Sequence, residues 1–174
     1  MRAGRARPRV GILMGSDSDW PLVGKAGETL SGLGVSFEAH VMSAHRTPER
    51  VVAYVTEAPA RGLKVLLAAA GGAAHLAGTV AAHTTLPVIG IPIEGGAFHG
   101  MDALLATAQM PAGVPVATVG VGSAGPVNAA LLAAQILALS DADLAKRLQR
   151  HKQGLKDKVA EADRRVQGLA AHGT

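Results

Sequence analysis

The chain has 174 residues and a mass of 17.6 kDa, with 48% apolar residues, 17% charged residues and no cysteine. That balance gives a single folded domain with a sizeable core, and it excludes a disordered chain, a disulfide framework, thiolate metal sites and a cysteine nucleophile. The net charge of +4 is local: without Arg2, Arg5, Arg7 and Arg9, which precede the first apolar run, 13 basic residues face 13 acidic ones. Residues 1–9 are therefore expected to form a basic flexible tail rather than a nucleic-acid or membrane surface. Aromatics are only 2%, so stacking platforms for single-stranded nucleic acid are missing. No apolar run reaches the ~18 residues of a membrane span. Val10–Met14 is too short for the core of a signal peptide. A soluble cytoplasmic protein is expected.

Val10–Met14 is a continuous apolar run, as in a strand buried on both faces. Gly15-Ser16-Asp17-Ser18-Asp19 follows and supplies helix caps. Val23, Ala26, Leu30 and Leu33 recur at helical spacing until Gly34 stops the helix. Val35–Val41 reads as a second strand and Ser43–Arg46 as a loop. Thr47-Pro48-Glu49 combines a cap, a first-turn proline and an acid at the positive end of a helix that ends near Gly62. Val65–Ala69 is the third strand, Gly71-Gly72 a turn, and Leu76–His83 a short helix. Pro87–Ile91 is the fourth strand, followed by the glycine-rich segment Glu94–Gly100 and a helix at Met101–Ala108. Val116–Val119 is the fifth strand. Gly120, Gly122 and Gly125 lead into the helix Pro126–Leu139. Ser140 and Asp143 form a capping box for a last helix.

Strands alternating with helices imply a parallel sheet with right-handed crossovers. The expected fold is α/β: a flavodoxin-like three-layer sandwich with a five-stranded parallel sheet and an extra C-terminal helix. The domain spans residues 10–140. Residues 141–174 lie beyond a complete sandwich. Asp141 to Val166 carry eight basic and five acidic residues, with Leu144, Leu148, Leu155, Val159 and Val166 among them. Such an amphipathic helix either lies on its own domain or packs on a neighbouring subunit.

Each segment rich in Gly, Ser or His falls at the carboxyl end of an expected strand, where open α/β sheets bind ligands. Asp17 and Asp19 flank Ser18 at a helix start. Backbone N–H groups there suit an anion, and a carboxylate accepts bonds from ribose hydroxyls; the same residues also serve simply as caps. Between residues 10 and 140 the basic side chains are Lys25, Arg46, Arg50, Arg61 and Lys64, and only Arg46 falls in one of these loops. A guanidinium beside a helix start is a natural phosphate clamp. No Walker loop and no GxGxxG follows the first strand, so a monophosphate fits better than a triphosphate or dinucleotide. His45 is either a surface residue or an acid–base group. His75 caps or packs in its turn, or joins the site. No His pair has helical metal spacing, so no metal is expected.

Five stretches carry a resemblance: Met14-Gly15-Ser16-Asp17-Ser18-Asp19-Trp20, Ser43-Ala44-His45-Arg46-Thr47-Pro48, Ala70-Gly71-Gly72-Ala73-Ala74-His75-Leu76, Gln109 to Val116, and Asn128 to Ala133. Together, and in this order, they resemble the PurE family of purine biosynthesis, from about Val10 to Leu139. The Arg46/Pro48 form resembles the class I branch, the N5-carboxyaminoimidazole ribonucleotide mutases. The class II branch, which carboxylates aminoimidazole ribonucleotide directly, typically has lysine at the Arg46 position. The resemblance implies substrate contacts from Ser16 and Asp19, with Asp19 at the ribose. It implies phosphate contacts from Ser43 and Arg46, acid–base catalysis by His45, and a loop of Gly71, Gly72 and His75 over the base. It further implies a small-molecule ribonucleotide substrate, no cofactor, and a homo-octamer in which the last helix embraces a neighbour. Ala69 and Ala77 depart from a usual Gly and Pro, and Gly95–Met101 is richer in glycine, with Phe98 and His99 added. Two alternatives stand beside this reading: a direct carboxylase, and a flavin- or nucleotide-binding module without chemistry.

Overall fold

Val-Gly-Ile-Leu-Met offers no polar side chain, and all five residues of β1 (Val10–Met14) are buried. The computed structural model describes residues 7–171. β1 lies between β2 (Phe37–Val41) and β3 (Val65–Gly71), and β4 (Val88–Ile93) and β5 (Ala117–Thr118) complete a parallel sheet of order β2-β1-β3-β4-β5. Ile12 stands opposite Ala39 on one side and Leu67 on the other. The continuous apolar strands serve two cores, because successive side chains point to opposite faces. Val10, Ile12, Met14, Val65, Leu67 and Ala69 pack under α1 (Trp20–Gly32) and α5 (Ala124–Ala138). Leu13, Leu66 and Ala68 pack under α2 (Pro48–Arg61) and α3 (Leu76–Ala82). α4 (Met101–Ala108) lies against β4 and β5. The three-layer sandwich matches the expected fold.

Boundaries shift for local reasons. Val35 is taken by the end of α1, where its N–H donates to Leu30 O, so β2 begins at Phe37. β4 continues through Pro92 to Ile93, because β5 pairs only with Ile89 and Gly90 and leaves an open edge beyond, where proline is tolerated. Gly62 ends α2 with φ +99°, a left-handed conformation that glycine adopts without a Cβ clash. Thr47 occupies the cap position, but its hydroxyl bonds Ser43 N–H and Ser43 O rather than a helix N–H. Edge strand β2 is tied to α2 by Glu38, which accepts from Tyr54 Oη at 2.7 Å and pairs with Arg61. Burial first, and then Glu38, pushes the Tyr54 hydroxyl pKa up, so it stays a donor at any working pH.

Both ends of the sandwich differ from expectation. Arg2 and Arg5 lie outside the described residues, but Arg7 and Arg9 belong to the fold. Ser36 Oγ donates to Arg7 O, Arg9 N–H donates to Ser36 O, and Arg9 pairs with Asp141 at 2.7 Å. The tail expected over residues 1–9 is thus anchored at its inner end. The cap of α6 (Ala142–Ala171) is Asp141, not Ser140: Asp141 Oδ1 accepts from Leu144 N–H while Oδ2 holds Arg9. Those two contacts hold the Asp141 carboxyl below its usual pKa, the Arg9 hydrogen bond most of all. Leu144 is fully buried in the α1–α5 core, and Arg147 Nε donates to Leu33 O at 2.8 Å. Further along, Leu155, Val159, Val166 and Leu169 are exposed. So α6 begins inside the domain and leaves it.

Gly90 marks the tightest packing between β4 and the helices. A Cβ there would overlap Thr107 Cγ2 and come within 3.0 Å of Val116 Cγ1 and 3.3 Å of Ala77 Cβ. Gly90→Ala should therefore lower stability by about 1–3 kcal/mol, as overpacked cores do. Urea denaturation of the two proteins measures it, and an unchanged midpoint contradicts the packing argument.

Candidate active site

The carboxyl ends of β1, β2 and β3 converge because β1 lies in the middle. The chain turns to opposite faces from β1 and β3, which opens a crevice. Three loops fill its rim. The loop after β1 winds into a short 3-10 turn at Asp17–Asp19, with Ser16 as its cap. Ser16 Oγ accepts from Ser18 N–H at 3.3 Å and from Ser18 Oγ at 2.8 Å. The loop after β2 is wound on Ser43, whose Oγ accepts from His45 N–H at 3.3 Å and Arg46 N–H at 3.2 Å. With its acceptor capacity so used, the Ser43 hydroxyl keeps its one proton to donate. Arg46 Nη2 donates to Gly15 O at 2.8 Å and so joins the first two loops. The loop after β3 carries Gly71 to His75. Ala74 has φ +46°, a left-handed conformation costly for a residue with a Cβ.

The three loops enclose a cavity of about 340 Å³ lined by Gly15, Ser16, Asp19, Ser43, Ala44, His45, Arg46, Ala70, Gly71, Ala74, His75 and Leu76. Seven residues picked from the sequence meet here: Ser16, Asp19, Ser43, His45, Arg46, Gly71 and His75. Gly72 does not line it; it turns the loop at φ +60° with open space where a Cβ would stand. The segments Glu94–Gly100 and Gly120–Gly125, also at strand ends, do not line this cavity either. Sequence reasoning missed Gly15, whose carbonyl anchors Arg46. It also passed over the apolar wall of Ala44, Ala70, Ala74 and Leu76, since alanine carries no chemical signal of its own.

The principal finding is a pair. His45 Nε2 lies 2.7 Å from His75 Nδ1, with the rings edge to face at 83°. A hydrogen bond of that length holds one proton between two nitrogens, so the second imidazole must present a lone pair. Each histidine is thereby oriented by the other, although 30 positions separate them. Asp19 carries a shifted pKa in the cavity. Burial raises its pKa above the usual carboxylate value and Asp17 adds to the rise, against bonds from Ser16 and Ser18 that lower it. Among the described residues, no group of three or more His, Cys, Asp or Glu is placed to hold a metal ion. Also among them, no helix is long and apolar enough to cross a membrane.

Comparison with known proteins agrees with this geometry. The sequence model of the AIR carboxylase family, AIRC, matches residues 9–158. The chain belongs to the AIR carboxylase family. Within it, the chain is 54% identical over 152 residues to an N5-carboxyaminoimidazole ribonucleotide mutase of Brucella melitensis, covering 87% of this chain and 94% of that one. It is 53% identical over 156 residues to the mutase of Bacillus subtilis, covering 90% and 96%. Among solved structures, Treponema denticola PurE superposes with a TM-score of 0.82 at 33% identity, covering 91% of this chain and 98% of that one. The PurE resemblance read from the separated motifs between about Val10 and Leu139 therefore holds, and the family match carries it on to residue 158.

The raised pKa of Asp19 has a stability consequence. A carboxylate whose pKa is higher folded than unfolded favours the fold when protonated, and that contribution is lost as pH rises through the carboxylate range. At neutral pH, Asp19→Asn should raise the melting temperature of the protein measured without nucleotide, and the gain should shrink on acidification below the folded pKa. A variant less stable than the parent at pH 7 contradicts this.

Proposed function

We infer that this chain is an N5-carboxyaminoimidazole ribonucleotide mutase, an isomerase that moves a carboxylate from the exocyclic nitrogen to C4 of the ring. The observation that carries the reading is the His45–His75 pair, set in one cavity with Arg46 and two serine hydroxyls. Arg46, Ser43 and Ser16 hold the phosphate, with Ser43 donating the proton that its loop leaves free. Asp19 accepts from the ribose. The Gly71-Gly72 turn brings His75 over the base. Identity above 50% to curated mutases supports the same assignment.

The proton balance fits one imidazole. The N–C bond of the carbamate breaks and releases carbon dioxide, while the nitrogen takes a proton from His45. The electron-rich C4 attacks the trapped gas and forms the new C–C bond. C4 then returns its proton to His45, so the enzyme ends as it began. While protonated, His45 donates from Nε2 to a neutral His75, which keeps the ring aimed. Ala44, Ala70, Ala74 and Leu76 line the same cavity and give carbon dioxide a dry wall. His45→Asn should keep the fold and bind the ribonucleotide, while turnover falls about 10²–10⁴-fold. Steady-state kinetics with calorimetry on one preparation tests this; near-normal turnover moves the chemistry off His45.

The same reading places the chain in the cytoplasm as a homo-octamer. What supports the assembly is the outer part of α6, where Val159 is 70% and Leu169 75% exposed, apolar positions no monomer gains by displaying. Leu144 is buried in the sandwich, so cutting at 141 would damage the protomer itself. Removing residues 152–174 instead should leave a folded protomer that sediments below the full-length assembly. An unchanged sedimentation coefficient per chain rules out the arm.

A further inference from the structure

A second hollow, of about 350 Å³, adjoins the cavity just described and shares Gly15, Ser16, Ser43 and Arg46 with it. Asp17, Val41, Met42, Thr47 and Arg50 complete its wall, and Arg50, in the first turn of α2, is the cation among them. The other basic groups in contact elsewhere have partners: Arg9 with Asp141, Arg61 with Glu38, Arg147 with a carbonyl. Arg46 has only the Gly15 carbonyl, and Arg50 shows no hydrogen bond and no ion pair among the described residues. Asp17 lines the same hollow, so two guanidinium groups face one carboxylate and the hollow keeps a net positive charge. The Ser43 hydroxyl borders it with its proton free, while those of Ser16 and Thr47 donate to Asp17 Oδ1 and Ser43 O.

We propose that Arg50 is the second half of a two-guanidinium clamp, which with Arg46 selects the phosphate dianion of the substrate and seats it in this second hollow. The inference rests on the ribonucleotide reading above and adds to it a specificity residue that the sequence did not single out. One guanidinium neutralises half of a phosphate monoester. A second, lining the same hollow, neutralises the rest and discriminates against the bare nucleoside. The base and its carboxylate then stay in the first cavity beside His45. Because Arg50 reaches the phosphate and not the reacting atoms, it acts on binding and leaves the chemical step alone.

Arg50→Ala and Arg50→Lys separate the possibilities. The alanine variant should raise KM for the carboxyamino ribonucleotide about tenfold or more, as expected for a charge-assisted contact, with kcat within about twofold. Arg50→Lys should recover most of that loss. Ribose 5-phosphate, titrated by calorimetry, should weaken by the same factor in Arg50→Ala, and ribose itself should be unaffected. Ribose 5-phosphate bound equally by parent and Arg50→Ala overturns the clamp. The ribose 5-phosphate arm needs no turnover. A parent protein without mutase activity would therefore overturn the reading of the reaction while the clamp is still judged by this titration.

Discussion

Everything at the site depends on where β1 lies. Its five buried residues demand sheet on both sides and helix on both faces, and the pairings with β2 and β3 meet that demand. Once β1 is flanked in this way, three loops must emerge side by side at one edge. A helix follows β1 on one face, and helices follow β2 and β3 on the other, so the loops splay apart rather than stack. The crevice follows from strand order, before any catalytic residue is considered.

The loops hold each other as much as the sheet holds them. Arg46 reaches back to Gly15 O across the rim, Ser43 gathers the amides of its own loop, and His45 meets His75 of the next. No contact in that set is apolar. Each joins polar groups at an exposed rim, so the bonds orient the loops rather than rescue buried groups. A charged clamp resting on a backbone carbonyl rather than on an acid remains free to bind an anion. The left-handed Ala74 fits the same picture: strain in the third loop is carried by the packing of a buried methyl group.

Much of this was legible in the sequence. β1 could hardly be anything else, since no polar residue interrupts it, and Pro48 and Gly62 framed α2 closely. The loops at strand ends drew attention to Ser16, Asp19, Ser43, His45 and Arg46 on local chemistry alone. What stayed hidden was non-local. That Val35 would satisfy α1 rather than β2, that β4 could run through Pro92 beside a short β5, and that His45 and His75 would touch all depend on partners distant along the chain. Asp141 displaced Ser140 as the cap because Arg9 was there to hold its other oxygen, a contact across 132 positions. Gly72 matched a motif without lining the cavity, since its part is to turn the backbone. Arg50 was passed over because it sits in the first turn of a helix rather than in a loop at a strand end.

The Arg9–Asp141 contact and the burial of Leu144 bear on how the protein is made. β1 leaves the ribosome well before α6, the helix that seals its end of the core, some 130 positions further along the chain. At roughly 5–20 residues per second, the nascent chain carries an unsealed apolar strand on the order of ten seconds or more. Through that interval β1 can pair with β2 and β3 but cannot be closed off at Arg9. Until α6 arrives, the exposed apolar end of β1 is a site where the unfinished sheet can associate wrongly, so the interval between β1 and α6 bears on the yield of native protein.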